Sequence, residues 1–345
     1  MLADQIDFVI GIDTHKLAHS AALVNPVGGL LGVQELDANR AGYGAVLNWA
    51  NAMTNGRRVW AVEGTGSYGA GLVAYLERQG ELVVEVERPE RRRRGAKSDQ
   101  LDALAAARHA LSKEHLARPR RGAARDGIRV LLSSREGAVR AATQARNQLK
   151  ALLLTGDESL RGELSRLSDE QLLRRCRNLR RSAGQDVRRR ALTMALSRIA
   201  GRIAALESEA KAYERELEGL TQQRLPGLRA EMGVGPWVAA QLVTSFSHGE
   251  RFRSEAAFAS LAGTAPIAAS SGQTQRHRLN RGGDRQLNRA LHQVVITRLR
   301  LDPSTQAYAA RRRHEGKSDA EIRRCLKRFI ARQIFRRLRS LDLGT

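Results

Sequence analysis

Four carboxylates stand where elements of the chain begin or end. Asp13 closes the apolar run "DFVIGID", and Glu63 closes "VWAVE" just before "GTGSYG". Asp99 and Asp102 lie three residues apart in "AKSDQLDALAAARHAL", a stretch that reads as a helix opening near Ser98. On a helix such a pair shares one face, about 4.5 Å apart along the axis. Acids supplied by two strand ends and a helix start can converge, and carboxylates held that close repel unless a cation neutralises them. Oxygen-only ligands select hard ions, so Mg²⁺ or Mn²⁺ is the expected guest. Two such ions can activate an attacking oxygen and stabilise a leaving one in phosphodiester cleavage. Each acid also has an ordinary reading. Asp13 can simply end a strand, Asp99 can answer the helix dipole, and Asp102 can pair with Arg108 or an upstream arginine. Glu63 is harder to dismiss, since it sits between a buried strand and a glycine-rich turn. The conjunction of all four is what points to a metal. His15 and Lys16 follow Asp13 closely and are candidate helpers, though His15 reads equally as a packed or exposed neighbour.

The acids lie where positive charge is densest, directly after Arg91-Arg92-Arg93-Arg94. Over 345 residues, 59 lysines and arginines face 36 aspartates and glutamates, a net charge of +23. Such an excess implies a polyanion, nucleic acid first of all. The base is nearly all arginine, which suits bidentate phosphate contacts. Arg91, Arg92, Arg93 and Arg94 therefore read as a phosphate or RNA clamp beside the acids, or else as a solvated basic loop. Aromatic residues are only 4% of the chain, so backbone contacts should outweigh base stacking. Two cysteines, Cys176 and Cys325, exclude a disulfide framework and a cysteine zinc site. No apolar run approaches the roughly 18 residues of a membrane span, and no signal peptide is recognisable. A cytoplasmic protein, nucleoid-associated when bound, is expected.

The elements that must position these residues fall into three zones, an α/β part followed by α parts. Residues 1–113 alternate strand and helix signals: a strand at "DFVIGID", a hairpin turning at Pro26 to Gly29, a helix at "GYGAVLNWANAM", a strand at "RRVWAVEG", a helix stopped by Gly80, and a strand at "ELVVEVE". Three consecutive strands followed by alternating helices and strands predict a mixed sheet, in an order that resembles a RuvC/ribonuclease H-like domain. Residues 114–221 lose the strand signals. Leu192, Leu196, Ile199, Ile203, Leu206, Ala210, Tyr213, Leu217 and Leu220 repeat at alternating fours and threes, the seam of a coiled coil. Its partner is either an earlier helix, about Ile128 to Leu154, or another subunit. The arginine-rich stretch "RRCRNLRRSAGQDVRRR" between them is a connector or a nucleic-acid contact. Residues 222–345 read as mostly helical. There "LRAEMGVGPWVAAQLV" has the form of a helix-hairpin-helix element: Gly233 and Gly235 permit a tight turn whose N–H groups, with the following helix N-terminus, can hold a phosphate. A plain packing hairpin is the alternative.

In this order, "VIGIDTHK", "AVEGTGSYG" and "AKSDQLDALAAARHAL" resemble the acid motifs of the DEDD-type insertion-sequence transposases, relatives of the Piv invertase and known as bridge-RNA-guided recombinases. The resemblance continues in "FRSEAAFASLAGTAPIAASSGQTQRHRLNRGGDRQLNRAL", which is similar to the family's second catalytic motif. Asn280, Asp284 and Asn288 depart from it, standing where lysine, asparagine and arginine are more usual. The resemblance implies that Asp13, Glu63, Asp99 and Asp102 are the metal-binding acids. It implies a nucleophilic serine at Ser271, with Ser270 as the alternative register, and a phosphoserine link to DNA. It further implies a structured guide RNA, and dimers assembling into tetramers. Arg276, Arg278, Arg281 and Arg285 lie just downstream and suit the scissile phosphate, and His277 is a weaker acid/base candidate. Two other readings compete. A RuvC-type metal nuclease would need the acids and ignore Ser271; a nucleic-acid packaging protein would need neither.

Overall fold

The computed structural model describes residues 6–86, 98–114, 116–120, 122–156, 158–180, 186–268, 277–278, 280 and 282–341. The chain divides into two compact units. The first comprises Met1–Arg121 with Ser247–Arg253, and the second Gly122–Phe246 with Ser254–Gly344.

In the first unit, strands β1 (Phe8–Thr14), β2 (Ala18–Val24) and β3 (Leu30–Asp37) run antiparallel to their neighbours. Their connections are too short for anything else. Helix α1 (Arg40–Met53) then carries the chain across to β4 (Arg58–Glu63), which lies parallel to β1. After α2 (Ala70–Arg78), β5 (Val83–Val86) adds parallel to β4, and α3 spans Asp99–Leu111. The sheet order is β3-β2-β1-β4-β5.

Because side chains alternate along a strand, the central strands are apolar on both faces. Ile10, Ile12, Trp60 and Val62 pack with Val46, Leu47, Leu72 and Leu76 of α1 and α2. Val9, Val59, Ala61 and Val84 pack with Ala106, Ala107 and Ala110 of α3. Gly11 decides how close α3 comes. A Cβ there would stand 2.1 Å from the Ala103 carbonyl oxygen and 2.5 Å from the Ala107 nitrogen, so the helix backbone rests directly on β1.

The segment Ser247–Arg253 completes this unit from far along the sequence. Arg251 Nη1 donates to Glu85 Oε2 at 2.7 Å and to the Arg118 carbonyl at 2.7 Å, and His248 Nε2 lies 3.0 Å from the Pro119 carbonyl.

The second unit is mostly helical. Helix α4 (Ala123–Leu154) is followed by α5 (Glu158–Leu164), α6 (Asp169–Arg177) and α7 (Val187–Arg224). Helices α4 and α7 pair antiparallel, with ion pairs in descending register, Arg135 to Glu214 and Arg146 to Glu207. Of the heptad residues, Leu196, Ile199, Ile203, Ala210 and Leu217 are buried. Helix α4, which packs on α7, begins five residues before the expected Ile128. Helix α7 starts at Val187, where Asp186 caps it, accepting from the Arg189 N–H at 2.7 Å. Beyond α7 come α8 (Pro226–Arg229), α9 (Pro236–Phe246) and α10 (Glu255–Leu261). A two-residue ribbon of β6 (Ile267–Ala268) and β7 (His277–Arg278) follows, then α11 (Arg285–Leu301), α12 (Pro303–His314) and α13 (Asp319–Arg339). The ribbon is too short to leave a period-two pattern in the sequence.

No helix among the described residues is long and apolar enough to cross a membrane.

Candidate functional site

Strand register brings the first two acids side by side. Ile12 of β1 pairs with Val62 of β4. The next residues, Asp13 and Glu63, therefore end adjacent parallel strands. By alternation Asp13 shares the face of Val9 and Gly11, and Glu63 the face of Val59 and Ala61, the side covered by α3. Thr14 ties the two strand ends together, its Oγ1 donating to the Glu63 carbonyl at 3.1 Å.

Helix α3 supplies the other two. Ser98 caps it, accepting from the Leu101 N–H. Its stripe of small buried residues includes Ala103, Ala106, Ala107 and Ala110. Asp99 and Asp102 lie one turn ahead of Ala103 and Ala106, so the stripe that packs on the sheet ends in acids at its C-terminal edge. The same N-terminal turn favours negative charge through the helix dipole.

The outcome is a group of three. Carboxylate oxygens of Asp13 and Asp99 and a ring nitrogen of His15 all lie within 4.8 Å of one another. His15 Nε2 stands 3.0 Å from Asp13 Oδ2 and 3.3 Å from Asp99 Oδ1. Asp13 is 2% exposed, whereas Asp99 and His15 are open to solvent along part of their surface. Glu63, at the end of the adjacent strand, and Asp102, on the first turn of α3, flank the group but fall outside it. His15 was only a candidate helper in the sequence. The tight connection between β1 and β2, closed by the His15 N–H to the Ala18 carbonyl at 3.1 Å, turns its imidazole back over Asp13. The spacing Asp-Thr-His is the one local signal of that contact. On β2, His19 is buried and stacks on Tyr43 at 6.0 Å between ring centroids. Burial pushes its pKa down and keeps it neutral.

The remaining predicted residues are dispersed. Arg91, Arg92, Arg93, Arg94, Ser270, Ser271, Arg276 and Arg281 lie outside the described residues. Arg278 is in β7 beside His277. Gly233 and Gly235 form the turn before α9, where Gly233 has φ +85°, and a Cβ would meet the Val294 backbone at 3.2 Å. Arg285 is exposed at the start of α11. The three residues that depart from the family pattern make hydrogen bonds within the protein. Asn280 donates to the Ser260 carbonyl at 3.4 Å. Asp284 caps α11 through the N–H groups of Gln286 and Leu287 and accepts from Ser245 at 2.7 Å. Asn288 donates to the Ala262 carbonyl at 2.6 Å and accepts from Lys327 at 2.8 Å.

Residues 10–156 match the family model of the DEDD transposases of the IS110 type, and residues 227–310 match that of the IS116/IS110/IS902 transposase family. Between them the two matches take in well over half of the chain. The chain belongs to the DEDD-type insertion-sequence transposases. It is also 30% identical, over 151 residues, to the uncharacterized 43.6 kDa protein of insertion element IS110 from Streptomyces coelicolor. That alignment takes in 43% of this chain and 37% of the Streptomyces protein.

The first match carries all four acids and His15, and runs through α3 into the whole of α4. The second carries the Gly233–Gly235 turn, the short ribbon, Ser270, Ser271 and Arg285.

Proposed function

We propose that this transposase breaks and rejoins DNA, using its acids as a divalent-metal site and a serine of its C-terminal part as nucleophile. The observation that carries the reading is the meeting of Asp13, His15 and Asp99 at the C-terminal edge of a β3-β2-β1-β4-β5 sheet. This strand order is the basis for reading residues 1–113 as a RuvC-like catalytic domain. Residues 114–221 would then act as a coiled-coil linker and residues 222–345 as the serine-bearing domain.

The donor set suits the ion. Two carboxylates and an imidazole, with two more acids alongside, fit Mg²⁺ or Mn²⁺ held by Asp13, Glu63, Asp99 and Asp102. Such an ion, when bound, would neutralise charge on a scissile phosphodiester. The chain's own residues do the rest. Buried Asp13 fixes the position of the site, and α3 presents Asp99 and Asp102 from a rigid element. Ser271, or Ser270 in the other register, would lose its hydroxyl proton to a nearby base and attack phosphorus, breaking one P–O bond to deoxyribose and releasing that sugar hydroxyl, so that the phosphoserine link conserves a phosphodiester for rejoining. Arg276, Arg278, Arg281 and Arg285 would hold the phosphate, and Arg91 to Arg94 a guide RNA or the DNA backbone. The partners are donor and target DNA, a structured guide RNA, and further copies of the chain up to a tetramer. A second reading, a metal-dependent nuclease, draws on the fact that the Asp13–His15–Asp99 group forms from the first unit alone.

A cleavage assay decides between them. Protein, Mg²⁺, RNA from the flanking non-coding sequence and donor DNA are resolved on a denaturing gel. Wild type should give a protein-linked DNA band. Asp13→Asn and Asp102→Ala should cut about 10²–10³-fold more slowly, the loss typical of removing a charge-stabilising group. Ser271→Ala should lose the covalent band. Undiminished cutting by Ser271→Ala, without that band, would establish the nuclease and remove the serine from the mechanism.

A further inference from the structure

The second unit contains a cavity of about 690 Å³ that the acid site does not use, walled by the Gly233–Gly235 turn, the start of α9, and one face of α11. Its size falls within the roughly 300–1,000 Å³ typical of sites for small ligands. What distinguishes it is unspent hydrogen-bonding capacity. The indole Nε1–H of Trp237 is enclosed and has no acceptor. The Arg289 guanidinium lies over the Trp237 ring at 5.1 Å from its centroid, and among the described residues it makes no ion pair and no hydrogen bond. Gln293 and Thr297, one and two turns along α11 from Arg289, add an amide and a hydroxyl to the same wall. Helix α9 opens at Pro236 behind Gly235, which has no side chain with which to cap it. Buried donors are ordinarily paired, so the unpartnered Trp237 Nε1, with the exposed Arg289 and Gln293 and the half-buried Thr297 beside it, marks a place suited to acceptors.

The two carboxylates of the wall do not supply them. Glu214 is held by Arg135 at 3.6 Å, and Glu231 by Arg298 and Arg337, each at 3.7 Å. The surplus in the cavity is therefore cationic, in a chain of net charge +23.

We propose that this cavity receives one unpaired nucleotide of a bound nucleic-acid strand. Its phosphate rests on Arg289 and the open start of α9. Its base enters the cavity, where base carbonyl or ring-nitrogen acceptors meet Trp237 Nε1 and the polar groups of Gln293 and Thr297. A free inorganic anion would leave both the indole and the volume without purpose. A duplex could not present a base edge there without extruding it. Aromatic residues are 4% of the chain, so stacking is confined to few places, and the Arg289–Trp237 pair is one built beside a pocket. The proposal rests on the nucleic-acid reading above and adds what part of the strand is gripped and by which residues.

The test compares two single strands of equal length and phosphate number, one carrying bases and one abasic throughout, each made in deoxyribose and ribose form. Binding to the full chain is followed by fluorescence anisotropy. Wild type should prefer the base-bearing strand by about tenfold, the worth of a stacked and bonded base. Trp237→Phe, which keeps the ring and removes the N–H, and Arg289→Gln should each cut that preference by about threefold or more. The sugar series with the larger preference names the strand that supplies the nucleotide. Equal binding of the two strands by wild type, or a preference unchanged in both variants, overturns the cavity assignment while leaving the transposase reading intact. Failure of wild type to bind either strand overturns the nucleic-acid reading itself.

Discussion

His15 reaches back over the strand that carries Asp13, so its Nε2 stands between a buried carboxylate and a half-exposed one. A nitrogen in that position changes the chemistry the acids alone would offer. Oxygen ligands favour Mg²⁺, and an added imidazole extends the range towards Mn²⁺ and softer ions. A different kind of carboxylate lies at the opposite end of the same sheet. Glu81 accepts from Arg58 and, at 2.7 Å, from Trp60 Nε1. The Arg58 guanidinium holds its carboxyl below the usual glutamate range. Since the folded-state pKa is depressed, its stabilisation is complete above the unfolded value of about 4.3 and is lost as pH falls through the lower folded value. Glu81→Gln should cost about 1.5–3 kcal/mol at pH 7, the worth of hydrogen bonds to a charged group. The gap between variant and wild type should narrow as pH falls below the usual glutamate range and close only below the depressed folded value, where wild type loses the same charge. Urea denaturation at the two pH values reads this directly; a gap independent of pH would show that the charge is not what Glu81 contributes.

At the scale of elements, the site depends on how closely α3 lies on β1. Gly11→Ala would place a methyl within 2.1 Å of the Ala103 carbonyl oxygen, and a backbone cannot yield as a flexible side chain can. Overpacking of this kind costs about 1–3 kcal/mol. The larger effect should be on the site, because lifting α3 carries Asp99 and Asp102 away from the strand ends. Mn²⁺ affinity measured by calorimetry should fall further than the melting temperature implies; an unchanged affinity in a folded variant would mean that the acids are positioned by something other than this contact. Much of this was legible from local signals. Apolar runs marked β1, β4 and β5, Ser98 marked the start of α3, and the heptads marked the face of α7 that α4 covers. Three things were not. Gly11 reads as an ordinary strand glycine until the helix above it is known. His15 reads as a candidate helper or equally as a packed or exposed neighbour until the β1–β2 turn closes. Asn280, Asp284 and Asn288 read only as departures from a motif, which records residue type without direction, and here their partners are Ser260, Ser245, Ala262 and Lys327. Each depends on tertiary contacts that no window of sequence contains.

For the whole molecule, the dominant electrostatic feature is its net charge of +23. With 59 basic residues against 36 acidic ones, nucleic-acid association should be governed by counterion release. A log–log plot of affinity against salt should have a slope steeper than about −5, as for a protein neutralising six or more phosphates. A nearly flat line, measured with the same DNA between low and physiological salt, would contradict a backbone-led mode. The path of the chain also sets the order in which its parts can fold. The first unit is not finished at residue 121, because Glu85 and the carbonyls of Arg118 and Pro119 take partners from Ser247–Arg253. On the ribosome, where the N-terminal part ordinarily folds first and elongation adds about 5–20 residues per second, this unit must wait while the entire α4–α9 stretch is made. The Arg251 contacts to Glu85 and the Arg118 carbonyl form only when Arg251 has left the exit tunnel. The nascent chain therefore carries its acids on an incomplete scaffold for most of its synthesis.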